Sequence, residues 1–199
     1  MLFERLLPPP ENVIVIVGTQ RVSHEQLPPR LLTHAPQKEW VLPTLSVGAI
    51  RKWLEFHAGL LAPPQSEESR NQYLGEIASA FFQISQGHPL HLRYSFRTLI
   101  ERGEPVWEHT ILALPPCPEG DIERYYARLL DSLPDAGRQM LHLLAACDFP
   151  WPKEGLMECL SPNPGNDAEV MGAEHQIAHL LLWNPLGATA FHGSLLVFL

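Results

Sequence analysis

A run of five β-branched residues near the amino terminus constrains the fold of this chain more than any other feature. Residues 13–17 read Val-Ile-Val-Ile-Val, and an uninterrupted apolar run of this kind is typical of a strand buried on both faces of a parallel sheet. A parallel strand needs neighbours, and the sequence contains no second run of this type. We therefore expect the strand to be the remnant of a larger α/β core, whose other strands come from another chain or are missing before Met1.

The rest of the sequence has a helical pattern, and pairs of prolines separate the elements. Ser46, Asp121 and Asp135 are predicted to cap helices, and Gly87 and Pro89 are predicted to end one helix and begin the next. A proline-rich connector is expected at residues 107–120, and a turn at residues 184–187. Three helices followed by a small hairpin indicate a winged helix at the carboxyl-terminal end. Helices are predicted at residues 47–57, 67–86, 89–103, 153–160 and about 167–182. Two further helices are predicted to follow Asp121 and Asp135.

Charge and cysteine content exclude some classes of protein. The 14 basic and 22 acidic residues give a net charge of -8, which disfavours broad binding to nucleic acid or to an anionic membrane. The cysteines are Cys117, Cys147 and Cys159; an odd number without a CxxC pair indicates reduced thiols in the cytoplasm. The sequence shows neither a signal peptide nor a membrane-spanning apolar stretch, so we expect no membrane partner.

The sequence lacks the parts that grip and activate a nucleotide. A P-loop requires GxxxxGK[ST], because backbone amides and a lysine must surround the phosphates, and the sequence contains no Gly-Lys pair. No apolar strand ends in an acidic pair that would hold magnesium. No GxSxG elbow accompanies Ser194, and the cysteines lack a recognisable histidine partner. We therefore predict no catalytic residue and no enzyme activity for the isolated chain.

Four short motifs nevertheless occur in an order that is known from one class of protein. Residues 83–92, QISQGHPLHL, place Gly-x-Pro-Leu between two predicted helices. Residues 6–21 combine a loop, the strand and Arg21. Residues 40–46, WVLPTLS, precede the first predicted helix, and residues 190–199, AFHGSLLVFL, contain His-x-Ser before an apolar tail. Together these segments resemble the STAND class of signalling ATPases, the NACHT and NB-ARC group.

The resemblance implies a fold and a set of functional residues. It implies a mainly α chain with a small α/β remnant: residues 1–43 as the end of a P-loop NTPase core, 44–118 as a helical domain, and 119–199 as a winged-helix-like domain that is cut short. In that class the sensor arginine, the GxP proline and the winged-helix histidine face the nucleotide, which assigns these roles to Arg21, Pro89 and His192. ADP favours the closed state, and exchange for ATP releases it to oligomerise and signal. The chain is then a fragment that needs a missing NTPase core or a protein partner, and we expect neither ADP nor ATP to bind it tightly alone.

Other interpretations remain open. Arg21, Pro89 and His192 also fit ordinary structural roles: a solvated residue after a strand, a helix starter and a hydrogen-bonded core histidine. His175 and His179 are spaced four apart, as in a zinc-binding helix, although no third ligand is evident. The chain also fits a stand-alone helical protein-interaction module. A DNA-binding winged helix is disfavoured by the acidic charge and by the lack of an arginine cluster in residues 121–199.

Overall fold

The computed structural model describes residues 11–12, 42–61, 63–64, 66–147, 149–160 and 167–199. Apart from four residues, these belong to one compact unit, Thr44–Leu199. The predicted strand at residues 13–17 and the predicted sensor residue Arg21 lie outside the described residues. None of the helices in the described part is long and apolar enough to cross a membrane.

The first part of this unit consists of helices that begin and end close to the predicted positions. Ser46 caps the first helix by accepting a hydrogen bond from the Ala49 amide, and Ser66 caps the second in the same way. The predicted connector at residues 107–120 was wrong in part, because it contains a short α-helix and a 3-10 turn at Pro118–Gly120. The helices are α1 (Val47–Phe56), α2 (Glu67–Ser85), α3 (Pro89–Glu101) and α4 (Glu108–Leu112).

These helices enclose the first of two hydrophobic clusters. Ile50 and Leu54 project from α1, and Ile77 and Phe81 from α2, at the helical spacing that the sequence shows; all four side chains are at most 1% exposed. Helix α3 adds three more buried apolar residues, and α4 closes the cluster with Ile111. The members from α3 are Leu92, Phe96 and Leu99.

The second part contains five further α-helices and a hairpin. Asp121 caps the first helix as predicted, since its carboxylate accepts from the amides of Glu123 and Arg124. The predicted cap at Asp135 was wrong: Pro134 occupies the cap position, and Asp135 is the first helical residue, where it pairs with Arg138. The elements are α5 (Ile122–Ser132), α6 (Asp135–Ala146), α7 (Lys153–Leu160), α8 (Asp167–Ile177), β1 (Leu181–Asn184), β2 (Gly187–Ala190) and α9 (Gly193–Phe198).

The hairpin is extended by a second short pairing. Strands β1 and β2 are antiparallel, and Trp151, just before α7, forms a bridge to Ala188 on β2. Gly187 permits this approach, because its φ of +141° suits glycine and a Cβ there would overlap the Trp151 carbonyl group. Along the chain, α6 is followed by the Trp151 bridge, then by α7 and α8, and then by the hairpin. This is the order of elements in a winged helix. The described part of the chain is therefore mainly α with a small antiparallel sheet, as predicted.

The last predicted helix, at about residues 167–182, is shorter than the sequence pattern suggests. Helix α8 ends at Ile177, and a 3-10 turn at Ala178–Leu180 leads directly into β1. The apolar residues that follow are compatible with a helix or a strand. They form a strand because they pair with β2, where Leu181 lies opposite Ala190.

Helix α3 belongs to both hydrophobic clusters. Tyr94 points away from the first cluster and is fully buried in the second, with Tyr126, Met140 and Leu195. The face that carries Leu92, Phe96 and Leu99 packs in the first cluster. Helix α3 thus forms a wall of both clusters. The predicted helical and winged-helix regions share this helix and are not joined by a loose linker.

Candidate functional site

The start of α3 is fixed by close backbone packing. Gly87 has a φ of +74°, and its carbonyl accepts a 2.8 Å hydrogen bond from the Leu45 amide. A Cβ at this position would overlap the Leu45 carbonyl. The glycine of the Gly-x-Pro-Leu motif is thus required by its contact with residues 44–45, which belong to another of the four motifs.

His88 and Pro89 complete this helix start. Pro89 occupies the first helical position and is exposed. The Nδ1 atom of His88 lies 3.4 Å from the His91 amide and accepts its hydrogen bond as the helix cap. Because Nδ1 accepts, the proton of the neutral imidazole is on Nε2. The helix start therefore presents an apolar ring and a ring N–H donor side by side.

His192 has the same arrangement at the start of α9. Its Nδ1 accepts from the Ser194 amide at 3.1 Å and lies 2.9 Å from the Ser194 hydroxyl. The Nε2–H group is then the free donor of this exposed side chain. The His-x-Ser spacing seen in the sequence therefore has a local physical reason, since a histidine at the cap satisfies the amide two residues later.

Tyrosine and phenylalanine side chains link α3 to the residues that flank His192. The ring of Phe191 packs 5.8 Å from that of Tyr94 on α3. The hydroxyl of Tyr126 bonds the hydroxyls of both Ser194, at 3.0 Å, and Tyr94, at 3.1 Å. Residues that flank His192 are thus anchored to the helix that begins at Pro89.

The pKa of His88 responds to its burial and to charges on two other elements. Burial lowers the pKa of His88; the Asp121 carboxylate raises it, and the positive charge that His192 can carry lowers it again. We refer to the surface formed by His88, Pro89 and His192 as the His88/Pro89/His192 face. It joins two sequence motifs that lie about a hundred residues apart.

No match to the chain was found among protein-family models, curated proteins or solved structures. The interpretation of the face therefore depends on its own geometry.

A second group of polar side chains is buried where α3 meets α5 and the 3-10 turn before β1. The His179 Nε2 atom lies 3.2 Å from the Tyr125 hydroxyl, and the His91 Nε2 atom donates to the Pro115 carbonyl at 3.1 Å. Burial lowers the pKa of both histidines to about 4, so both are neutral at pH 7. Sequence reasoning missed this group, because its members are up to 88 positions apart along the chain and only the packing of α3 unites them.

The predicted zinc-like pair does not form a site. Helix α8 ends between His175 and His179, so the two do not lie on one helix face; His175 is exposed, whereas His179 is buried against Tyr125. Within the described residues, no group of three or more His, Cys, Asp or Glu side chains is placed to hold a metal ion. Burial raises the pKa of Cys117 to about 11, so this thiol is protonated at pH 7.

Proposed function

We propose that the chain is part of a STAND-type regulatory ATPase and supplies the helical and winged-helix regions that close over a nucleotide. The observation that carries the proposal is the His88/Pro89/His192 face. Pro89 and His192 come from separate motifs, and Phe191, the neighbour of His192, packs against Tyr94 of α3. A face of this kind contacts a nucleotide that another part of the ATPase holds.

The chemistry of the face suits the two ends of a nucleotide. Pro89 offers an exposed apolar ring, which packs on the flat face of a base. His192 and His88 offer Nε2–H groups, which donate hydrogen bonds to phosphate oxygens. With its Nδ1 atom engaged as the cap of α9, His192 offers the Nε2–H group as a hydrogen-bond donor.

The proposal assigns ATP hydrolysis to the part of the ATPase that contains the P-loop. The 199 residues contain no Gly-Lys pair, and the face described above has donors for one or two phosphate oxygens only. In the full assembly, the nucleotide state sets whether the winged helix stays closed on the core. The isolated chain is therefore a regulatory part without activity of its own, and Arg21 is proposed as the sensor residue of that core.

The winged helix gives little support to the alternative of DNA binding. Its helix α8, which occupies the position of a recognition helix, contains no lysine or arginine. Glu174 on this helix pairs with Lys153 at 3.0 Å, so this cation is already neutralised.

Titration with ADP, followed by NMR of the backbone amides, tests the proposal. We expect millimolar binding, with shifts at residues 87–90 and 191–194. His192→Ser keeps a capping side chain and removes the ring donor, so it should weaken ADP binding several-fold and leave AMP binding unchanged. His175→Ala, at an exposed histidine of α8, is the matched control and should change neither.

Shifts outside these two segments, or equal ADP affinity in the His192→Ser variant, would overturn the role of the face. Micromolar binding of ADP to the unmodified chain would overturn the separate claim that the phosphates are held elsewhere.

A protein-interaction module is the second candidate, because two large apolar side chains are exposed at the end of α1. Phe56 is 87% exposed and Leu60 is 57% exposed, and neighbouring apolar side chains of this kind mark contact surfaces. Light scattering coupled to gel filtration tests this function. A concentration-dependent oligomer that the double change Phe56→Ser and Leu60→Ser dissociates would support it, and a monomer at all concentrations would refute self-association through this surface.

A further inference from the structure

A half-open cavity lies between α3, α5 and the 3-10 turn that precedes β1. Its volume is about 290 Å³, which is near the lower end of the range for small-molecule sites. The buried side chains of Ser95, Thr98, Tyr125 and His179 line its inner end, and the exposed side chains of Arg102 and Gln176 lie at its mouth. The cavity shares no residue with the His88/Pro89/His192 face.

The hydroxyl groups at the inner end of the cavity already form hydrogen bonds within the protein. Thr98 donates to the Tyr94 carbonyl at 2.9 Å. The Tyr125 hydroxyl forms a hydrogen bond with the Nε2 atom of His179 at 3.2 Å. Each hydroxyl oxygen keeps lone pairs that have no donor in the described part of the chain. A ligand that enters this end is therefore favoured if it carries an O–H or N–H donor.

Ser95 agrees with this polarity. The Nε2 atom of His91 donates to the Pro115 carbonyl, so its Nδ1 atom is an acceptor. The Ser95 hydroxyl lies 3.4 Å from that Nδ1 atom and points its proton towards it. A third hydroxyl at the inner end thus also presents an oxygen acceptor to the cavity.

The mouth of the cavity is positive. Arg102 is the one charged side chain among the lining residues, and its ion pair with Glu104 is long, at 3.7 Å, with both side chains 41% exposed. Exchange of so weak a pair for a ligand carboxylate costs little. Burial lowers the pKa of His179 most, and the charges of Arg102 and Arg97 lower it further.

Leucine side chains form the wall between the two ends. Leu114 and Leu133 are buried, and Leu129 on α5 is half-buried. Such a wall favours an apolar body between the polar groups of a ligand.

We infer that this cavity binds a small monocarboxylic acid with a planar or apolar body and a hydrogen-bond donor at its far end. The carboxylate pairs with Arg102, the body packs on the leucines, and the donor reaches Thr98, Tyr125 or Ser95. Because α3 lines the site from one region and α5 and His179 from the other, an occupant holds the helical and winged-helix regions together. The site does not depend on the proposed nucleotide contact, so either can fail without the other.

The test uses 4-hydroxybenzoate as a probe and follows the amide and side-chain NMR signals of the whole chain. We expect saturable shifts at Ser95, Thr98, Arg102 and Tyr125 below about 10 mM, since ligands of this size commonly bind in the millimolar range or better. 4-Hydroxybenzamide removes the charge and benzoate removes the donor. Loss of the charged hydrogen bond should weaken binding about tenfold, and loss of the donor severalfold.

Two matched arginine variants complete the design. Arg102→Gln should weaken 4-hydroxybenzoate about tenfold and leave 4-hydroxybenzamide unchanged. Arg51→Gln removes an arginine of similar exposure, paired with Glu55 on α1, and should change neither. Absence of saturable shifts, equal affinity for the acid and the amide, or an Arg102→Gln variant that binds the acid normally would each overturn the inference.

Discussion

The hydroxyl oxygens of Tyr94 and Tyr126 lie 3.1 Å apart in the second hydrophobic cluster. This hydrogen bond connects α3 to α5, and the Tyr126 hydroxyl continues the connection to Ser194 at the start of α9. Burial raises the pKa of both tyrosines, so both remain protonated and both can donate. The chain of hydroxyls therefore links α3, α5 and the first turn of α9.

Removal of the Tyr126 hydroxyl should destabilise the fold. Tyr126→Phe leaves the hydroxyls of Tyr94 and Ser194 without their shared partner, and we expect the free energy of unfolding to fall by about 1–3 kcal/mol. The double variant with Tyr94→Phe should cost less than the sum of the single changes, because both remove the same bond. Urea denaturation measures these values.

Tyr73→Phe is the matched control for this cycle. Tyr73 donates a single hydrogen bond to the Val106 carbonyl in the other cluster. Its cost, about 1 kcal/mol, should add to that of Tyr126→Phe. Additive costs for Tyr94→Phe and Tyr126→Phe would contradict the hydrogen bond between them.

Gly87 should tolerate no side chain. Gly87→Ala places a Cβ on a backbone with a φ of +74° and against the Leu45 carbonyl, so strain and overlap together should cost about 2–5 kcal/mol. Gly75→Ala, inside α2 where nothing lies within 4 Å of an added Cβ, should instead stabilise by about 0.5–1 kcal/mol. Thermal unfolding of both variants distinguishes them; equal midpoints would show that residues 44–45 do not pack against Gly87.

Local signals in the sequence predicted much of the fold. Ser46 and Asp121 cap helices as expected, and Gly87 followed by Pro89 separates α2 from α3, because these residue types act on backbone groups a few positions away. Asp135 was predicted wrongly, since both Pro134 and Asp135 suit a helix start and the sequence does not rank them. The end of α8 depends on pairing between β1 and β2, which no local pattern contains.

The candidate site was predictable only in its parts. Pro89 and His192 were identified from motif order, whereas no sequence pattern relates His88 to His192. The buried group of His91, Tyr125 and His179 had no motif at all, because it arises where α3 packs against the other cluster. Contacts of this kind are set by topology, which a single sequence specifies only weakly.

The fold should lose stability as the pH falls from 6.5 towards 4. His91 and His179 have pKa values of about 4 in the folded chain, whereas the value in an unfolded chain is about 6.5. Between these values the unfolded state binds more protons, so the free energy of unfolding decreases with falling pH and levels off, for these groups, below pH 4. His88, whose pKa is also lowered, acts in the same direction.

Calorimetry in buffers of different ionisation enthalpy measures this effect. At pH 5.5, unfolding should take up about two protons through His91 and His179. The ring signals of both histidines should keep their neutral positions in NMR spectra down to pH 5. A proton uptake near zero, or ring signals that titrate between pH 6 and 7, would show that these histidines are not buried as described.

Asp121 should act on the candidate face in two separable ways, as a helix cap and as a charge. Asp121→Ala removes the acceptor for the amides of Glu123 and Arg124 and should cost about 1 kcal/mol. Asp121→Asn keeps the cap and should cost little. Both changes remove the carboxylate that raises the pKa of His88, so NMR titration should show a lower pKa for His88 in both.

Asp135→Asn is the control, because the sequence suggested this carboxylate as an equivalent helix cap, and it should leave the pKa of His88 unchanged. If the pKa of His88 were the same in Asp121→Asn, the Asp121 carboxylate would not act on His88. The start of α5 would then not lie close to the His88/Pro89/His192 face.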